Sequence, residues 1–594
     1  MPYRHNLLFV IIFIILILSL FHLHFFQYFP TSDGLLGSDY AYFFPYLLNG
    51  LYWFNTNGYF EIPWFTPAFC GGIPFYPNPQ NLYFSIPQVL SIWNGPVQGV
   101  YFSVIIFSTI GVVAKTFLLR RVFQLSIPAI LVGIVLFLFN GFFISRMLVG
   151  HLTYHIFPLV PLLAYGLIYN ADEGGRSRQH EIMWIGINAL IFVYMIYAGA
   201  ANFMVPVIYM LVMLWLLAVI FRQSNCKFLV RLILAGLLGM IISSSKLYSS
   251  VVFMGLFKRD FYPLPGFDGL FSSIENIFKM LFFTDGQIVV DSIRNFPYVL
   301  GEYEVNFQLT PISLLLITTM CILMSYRFFV KREKLAVTLP VKKAAVILIV
   351  MLLVPILINT YYPGWSQFLK GLPYIKNSSS LIRWIAIYVP VLCVISAYAV
   401  DYIFRSQKYR IAASMICIVL IVLTITSQDW GRYFKHSYNP VNILSAWDAD
   451  IPPVMSIGSM PGSDKIEIYL ERNDLMVRGE SQFACYEPVF GYGLEDFPYG
   501  NLHLGNVFDE LDGTFNINNP ACLLYPEENQ CMPGDKLTHD EYGIAKSFIS
   551  YEKIEFEAPV IQKFLQVLSL YTLVLTILAV ILSFAFMVFK RNKN

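Results

Sequence analysis

Apolar runs of about 20 residues recur along this chain, set apart by short basic connections and a few long polar stretches. Twelve runs stand out, at 7–27, 99–119, 126–144, 153–170, 182–198, 203–221, 229–255, 308–326, 344–361, 384–403, 411–427 and 564–589. As α-helices, runs of this length cross a hydrocarbon core of about 30 Å. The first run has no small-residue cleavage site after it, which predicts an uncleaved first helix. Two further segments carry apolar positions without the length to span. Tyr40–Phe54 is aromatic and interrupted. Gly269–Phe283 places Leu270, Ile274, Ile277, Phe278 and Leu281 at helical spacing with Glu275 and Lys279 between them. Both patterns predict helices lying in the membrane interface.

Between the last two runs lies one sizeable polar region, 428–563. Its stretch KIEIYLERNDLMVRGE, residues 465–480, alternates as strands do, and Gly, Pro, Asn and Asp punctuate the residues after it. A small β-rich or mixed domain is expected there. The predicted fold is therefore an all-α polytopic membrane protein of about twelve helices. Residues 1–427 form a transmembrane module with a long first outer loop at 28–98, residues 428–563 an extracytoplasmic domain, and residues 564–594 a final helix with a basic tail.

Charge sets the orientation. Only 13% of residues are charged, mean hydropathy is +0.62 and net charge is +2, so nothing suggests a nucleic acid or other polyanion as partner. The basic residues alternate from one connection to the next. Arg120 and Arg121, Arg176 and Arg178, Arg222 and Lys227, the group from Arg327 to Lys343, Arg405 to Arg410 and Lys590 to Lys593 fall on every second one. Such connections face the cytoplasm. Both termini are then cytoplasmic, and the expected location is the cell (inner) membrane. The segments 28–98, 145–152, 199–202, 256–307, 362–383 and 428–563 face outward. Cys522 and Cys531 flank eight residues in that oxidising compartment and predict a disulfide, leaving Cys485 unpaired or in competition.

The outward segments hold the candidate chemistry. The first loop has Asp33, Asp39 and Glu61 and no Lys or Arg. A carboxylate at the lipid boundary without a basic neighbour in sequence is a candidate base for a hydroxyl. Asp33 and Asp39 also stand where helix caps stand. Gly71–Gly72 allows close approach of backbone, and Trp64, Tyr76, Asn78 and Gln80 could line a sugar or an isoprenoid chain. The same residues suit a rigid Pro-braced loop. Arg146, His151 and His155 cluster in SRMLVGHLTYH and suit phosphate or polar contacts better than a metal. Glu302 and Glu304 suit sugar hydroxyls, a divalent cation, or a solvated helix start. Lys376 and Arg383 are outward cations, suited to a lipid-linked phosphate or to headgroups. Mg or Mn is a candidate cofactor, with Asp39 and Glu304 as candidate ligands.

The ordered set Gly37–Ser38–Asp39, Pro63–Trp64, Gly71–Gly72-x-Pro74, Gly150–His151 and Leu372–Pro373 to Arg383 resembles bacterial YfhO-like multispanning proteins of the GT-C glycosyltransferase class, over roughly residues 1–410. The resemblance implies a polyprenyl-phosphate-linked sugar as donor and Asp39 as the catalytic carboxylate of the first outer loop. The acceptor would be a lipid, glycan or protein. Members commonly carry adjacent acids, whereas Asp33 and Asp39 here are six apart, with Asp33 in a partner or capping role. A non-enzymatic transporter or flippase of lipid-linked saccharide, or a polysaccharide polymerase, would share the lipid-linked substrate.

Overall fold

The computed structural model describes the chain outside residues 1, 170–176, 223–226, 257–263, 284–285, 295–300, 333–337, 374, 377, 379, 435–436, 459–472, 484–501 and 593–594. It is dominated by helices. In chain order they are α1 (Pro2–Phe26), α2 (Tyr40–Asn57), α3 (Ile86–Asn94), α4 (Pro96–Phe117), α5 (Ile127–Leu138), α6 (Gly141–Val149), α7 (Val160–Ile168), α8 (Arg178–Tyr197), α9 (Met204–Arg222) and α10 (Lys227–Ile242). They continue with α11 (Ser244–Met254), α12 (Gly269–Phe282), α13 (Gly286–Asp291), α14 (Thr310–Phe329), α15 (Leu339–Ile358), α16 (Pro363–Lys370), α17 (Tyr388–Ile403), α18 (Gln407–Thr426) and α19 (Val441–Trp447). The last long helix is Val560–Asn592.

Among the described residues ten helices are long and apolar enough to cross a membrane, or eleven if the bent pair α10–α11 counts as one span. Twelve were expected. The twelfth, Leu152–Ile168, is shorter and starts as eight residues of 3-10 helix before α7. Its wider rise brings those eight residues and the nine of α7 to a reach of about 30 Å, so it still joins the two ends of the bundle.

The ends differ in chemistry. At the basic end, Ser126 donates its amide to Asp401 at 2.8 Å, and Arg410 pairs with Asp401 at 3.1 Å. There too, Arg231 grips Glu181 and donates to the carbonyls of Leu167 and Tyr169 at 3.0 and 3.2 Å. At the opposite end meet the C-termini of α1 and α6 and the N-termini of α14 and of the 382–403 span.

The segment Tyr40–Phe54 departs from expectation. It is helical, but every residue from Tyr40 to Trp53 is buried. Aromatic, interrupted composition suits a protein core as well as a lipid surface, and here the core takes it. Residues 28–84 share one core with residues 438–554, with Tyr40, Tyr46, Phe69 and Phe75 joined to Tyr438, Ile457, Phe515 and Phe548. Each such burial contributes about 1.5–3 kcal/mol, which fixes α2 rather than leaving it on a surface. Leu36 and Tyr438 exchange backbone bonds of 2.8 Å, and Asn518 donates to the carbonyl of Gly71 at 2.8 Å.

Within 428–563 the strands are short. Ser456–Gly458 pairs parallel with Glu480–Gln482 and antiparallel with Gly505–Asn506, while Thr514–Asn518 pairs antiparallel with Lys536–Thr538. Of the alternating stretch at 465–480, Asp474–Arg478 is a 3-10 turn and residues 465–472 lie outside the described residues. Cys522 and Cys531 are joined, with Cα atoms 5.6 Å apart. Cys70 is also disulfide-bonded, and Cys485 lies outside the described residues.

Candidate functional site

The turn that ends α6 positions the site. Gly150 takes φ +106°, and the amides of Gly150 and His151 both return to the carbonyl of Arg146, at 3.2 and 2.9 Å. That left-handed cap folds His151 back over Arg146. The 37–40 segment then lies against this turn. The amide of Asp39 donates to Val149 at 3.0 Å, and the hydroxyl of Tyr40 donates to Met147 at 2.6 Å. A Cβ at Gly37 would stand 2.3 Å from the carbonyl of Leu148, and one at Gly150 would stand 2.5 Å from the amide of Tyr40. Only glycine permits the approach at both places.

Five charged or ionisable side chains from four segments meet there in a chain. Asp39 contacts His151 Nε2 directly. His151 Nδ1 lies 2.8 Å from Arg146 Nη1. Arg146 Nη2 reaches Glu304 Oε2 at 2.8 Å and the Glu304 carbonyl at 3.2 Å. Arg383 closes the series on Glu304 with two bonds, Nη2 to Oε1 at 2.6 Å and Nε to Oε2 at 3.1 Å. Aromatic rings wall the set: Tyr154 faces both guanidinium groups, at 5.5 Å from Arg146 and 5.8 Å from Arg383, and Tyr303 meets His151 edge-on at 5.5 Å.

Proton positions come from donor chemistry. A guanidinium only donates, so Nδ1 of His151 carries the lone pair. Its Nε2–H then points at Asp39. Burial holds the imidazole below its ordinary value of 6.5, with the Asp39 carboxylate pulling the other way. The neutral tautomer thus orients Asp39 without neutralising it. Asp39 caps α2 by position, yet its side chain makes no capping bond. The N-terminus of α2 still favours the anion electrostatically. Two carboxylates balance two guanidinium groups. Exposure grades along the chain: the side chain of Arg146 is fully buried, while Asp39 keeps 22% and Arg383 34% of their side-chain surface.

The other candidates fall elsewhere. Asp33 is exposed on a tight turn in which Gly34 bonds back to Thr31 at 2.9 Å. Glu302 pairs with Arg432 at 3.6 Å. Lys376 is exposed on the loop leading to Arg383. His155 is buried between the Leu152 carbonyl at 2.5 Å and the Tyr194 hydroxyl at 2.6 Å. Trp64 packs on Tyr76 at 4.9 Å and Phe556 at 5.4 Å, so these rings serve the shared core. Asn78 is buried, bonded to Tyr42 at 3.4 Å and to the amide of half-buried Gln80 at 2.8 Å. Gly71 and Gly72 hold the same core: a Cβ at either would strike Leu502 at 2.3 Å or Phe548 at 2.9 Å. Among the described residues no group of three His, Cys, Asp or Glu is disposed to hold a metal. The oxygens of Glu304 are engaged by arginines.

Tyr154 and Tyr303 were not anticipated. Both sit inside motifs noted for their charges, and the spacing of three between His151 and Tyr154 was the available signal. No protein-family model, curated protein or solved structure matches the chain.

Proposed function

We propose that this chain is a membrane glycosyltransferase of GT-C type, similar to YfhO-like proteins. It moves a sugar from a polyprenyl-phosphate carrier to a lipid, glycan or protein hydroxyl at the extracytoplasmic face of the cell membrane. One observation supports this above the rest: the continuous series Asp39–His151–Arg146–Glu304–Arg383, which joins a carboxylate to a partly exposed guanidinium at one end of the bundle. Asp39 takes the proton of the acceptor hydroxyl as its oxygen bonds to the anomeric carbon. The bond from that carbon to the phosphate oxygen breaks, and the phosphate leaves with the electron pair. Arg383 receives the charge gathering on the phosphate. Asp39 also favours the oxocarbenium character of the transition state. The test is transfer by the purified chain in liposomes loaded with a labelled polyprenyl-phosphate sugar and a panel of acceptors. New sugar–acceptor bonds support the reading, and intact donor throughout refutes it.

One observation favours a transporter of lipid-linked saccharide instead. The span formed by α10 and α11 bends by 70° beside Lys246, a buried cation in a broken helix. Its height argues otherwise. α10 has 16 residues, about 24 Å from the basic end, which puts the break near the far side of the hydrocarbon core. Lys246 there donates to the carbonyls of Tyr76 and Asn78 in the first loop. In the same liposomes, donor that changes leaflet without losing its sugar would establish transport.

A further inference from the structure

Helix α12 has three faces where a helix on a soluble protein has two. At about 100° per residue its side chains sort into sectors. Ser273, Asn276, Ile277, Met280 and Leu281 are buried against the protein, as is Phe282 in the last turn. Over the earlier turns Leu270, Phe271, Ile274 and Phe278 form a second sector that is apolar and exposed, with Phe271 at 88%. Glu275 and Lys279 form a third and pair with each other at 2.7 Å. Going round the helix, the order is protein, apolar, charged.

Its two ends are tied to the ends of two spans. Just before α12, Phe267 pairs with Thr360, two residues past the end of α15, and its amide donates to Asn359 at 2.8 Å. At the other end, Leu309 donates to the carbonyl of Leu281 at 2.7 Å, one residue before α14 begins. α12 therefore lies across the tops of α14 and α15, about 21 Å long and at the level where those spans emerge. The spans that α12 crosses also carry exposed apolar residues near those ends, Leu315 on α14 and Leu353 and Leu357 on α15. Tyr362 and Phe368, around α16 beside it, are exposed aromatics of the kind that sit at headgroup level.

We propose that α12 is a lipid-docking helix, its Leu270–Phe271–Ile274–Phe278 face sunk into the acyl–headgroup boundary of the leaflet at the site end and its Glu275–Lys279 face in water. The three sectors match the three media such a helix meets. Anchorage at the ends of two spans whose own flanks expose apolar residues favours lipid over a protein partner, because the face lies at the level where those spans enter the bilayer. Because Met280 and Leu281 accept from Phe307 and Leu309, α12 also ties the stretch after Glu304 to that depth.

The test uses the whole chain in liposomes. Phe271→Trp and Ile274→Trp are compared with Tyr542→Trp, an exposed position in the polar region, each as a difference from the parent with its nine Trp residues. Phe271 makes few contacts to lose. The proposal expects blue-shifted emission at both α12 positions, and quenching that is stronger with phospholipids brominated near the headgroup than near the chain end. Acrylamide quenching there should be about two-fold or more weaker than at position 542. Acrylamide quenching equal to the control overturns it. So does emission shielded from acrylamide yet insensitive to every brominated lipid, which would mean that protein covers the face.

Discussion

Replacing Glu304 by Gln should destabilise this protein more than any other single carboxylate-to-amide change at the site end. Three bonds converge on that carboxylate: Arg146 Nη2 at 2.8 Å, Arg383 Nη2 at 2.6 Å and Arg383 Nε at 3.1 Å. Gln keeps the volume but sets an amide NH2 against a guanidinium. Arg383, one-third exposed, regains water. Arg146, with no exposed side-chain surface, does not. Breaking one partner of a buried pair costs about 3–5 kcal/mol, most of it the uncompensated charge left behind. Glu302→Gln is the matched control. Its pair with Arg432 is longer, 3.6 Å, and partly exposed, so its loss costs about 1 kcal/mol or less. Chemical unfolding of both variants in detergent, followed by loss of monodisperse protein, reads the difference. The double change Arg146→Met with Glu304→Met should recover part of the loss, because no charge is left buried alone. Glu304→Gln within about 0.5 kcal/mol of the control would refute the claim that this carboxylate holds the cluster together.

The same contacts imply other outcomes. His151 is protonated more readily in the unfolded chain than in the buried site, so its contribution to stability is complete above pH 6.5 and is lost as pH falls below that value. Transfer should fall over the same range, since a proton on Nδ1 opposes Arg146; a pH–rate profile of His151→Gln keeping that same limb would count against it. Arg383→Ala should weaken donor binding by about 2–5 kcal/mol, measured by titration with the lipid-linked donor, and unchanged affinity removes its phosphate role. Lys246→Met leaves the buried carbonyls of Tyr76 and Asn78 without their donor, at about 1–3 kcal/mol for each unsatisfied group. Amide exchange across residues 74–80 should then quicken, and protection equal to the parent would contradict the pinning role.

Much of this was legible in the chain. Each expected apolar run carries helix over most of its described length, because burial and lipid both demand internally bonded backbone. Asp39, Arg146, His151, Glu304 and Arg383 each stood out as charges at span ends. Their union did not, since Arg383 and Glu304 are 79 positions apart and periodicity says nothing about which span ends adjoin. The first loop misled in one respect. Tyr40–Phe54 carries the composition of an interfacial helix, and only the partner surface from 438–554 explains why it is buried. Gly71–Gly72 likewise looked like room for a ligand, whereas Leu502 and Phe548 occupy that room. By contrast the periodicity at 269–283 predicted a helix, and α12 is one, with more apolar positions than one protein-facing stripe needs.

The most direct measurement is transfer by Asp39→Asn beside Asp33→Asn, in liposomes with equal folded protein and a labelled polyprenyl-phosphate sugar. Asn keeps the size of Asp39 and a hydrogen-bond acceptor for His151 but cannot take a proton. Asp33 sits exposed on a turn outside the cluster. The account predicts a fall of about 10²–10⁴-fold for Asp39→Asn with donor affinity nearly unchanged, and a much smaller effect for Asp33→Asn. Full transfer by Asp39→Asn would contradict it.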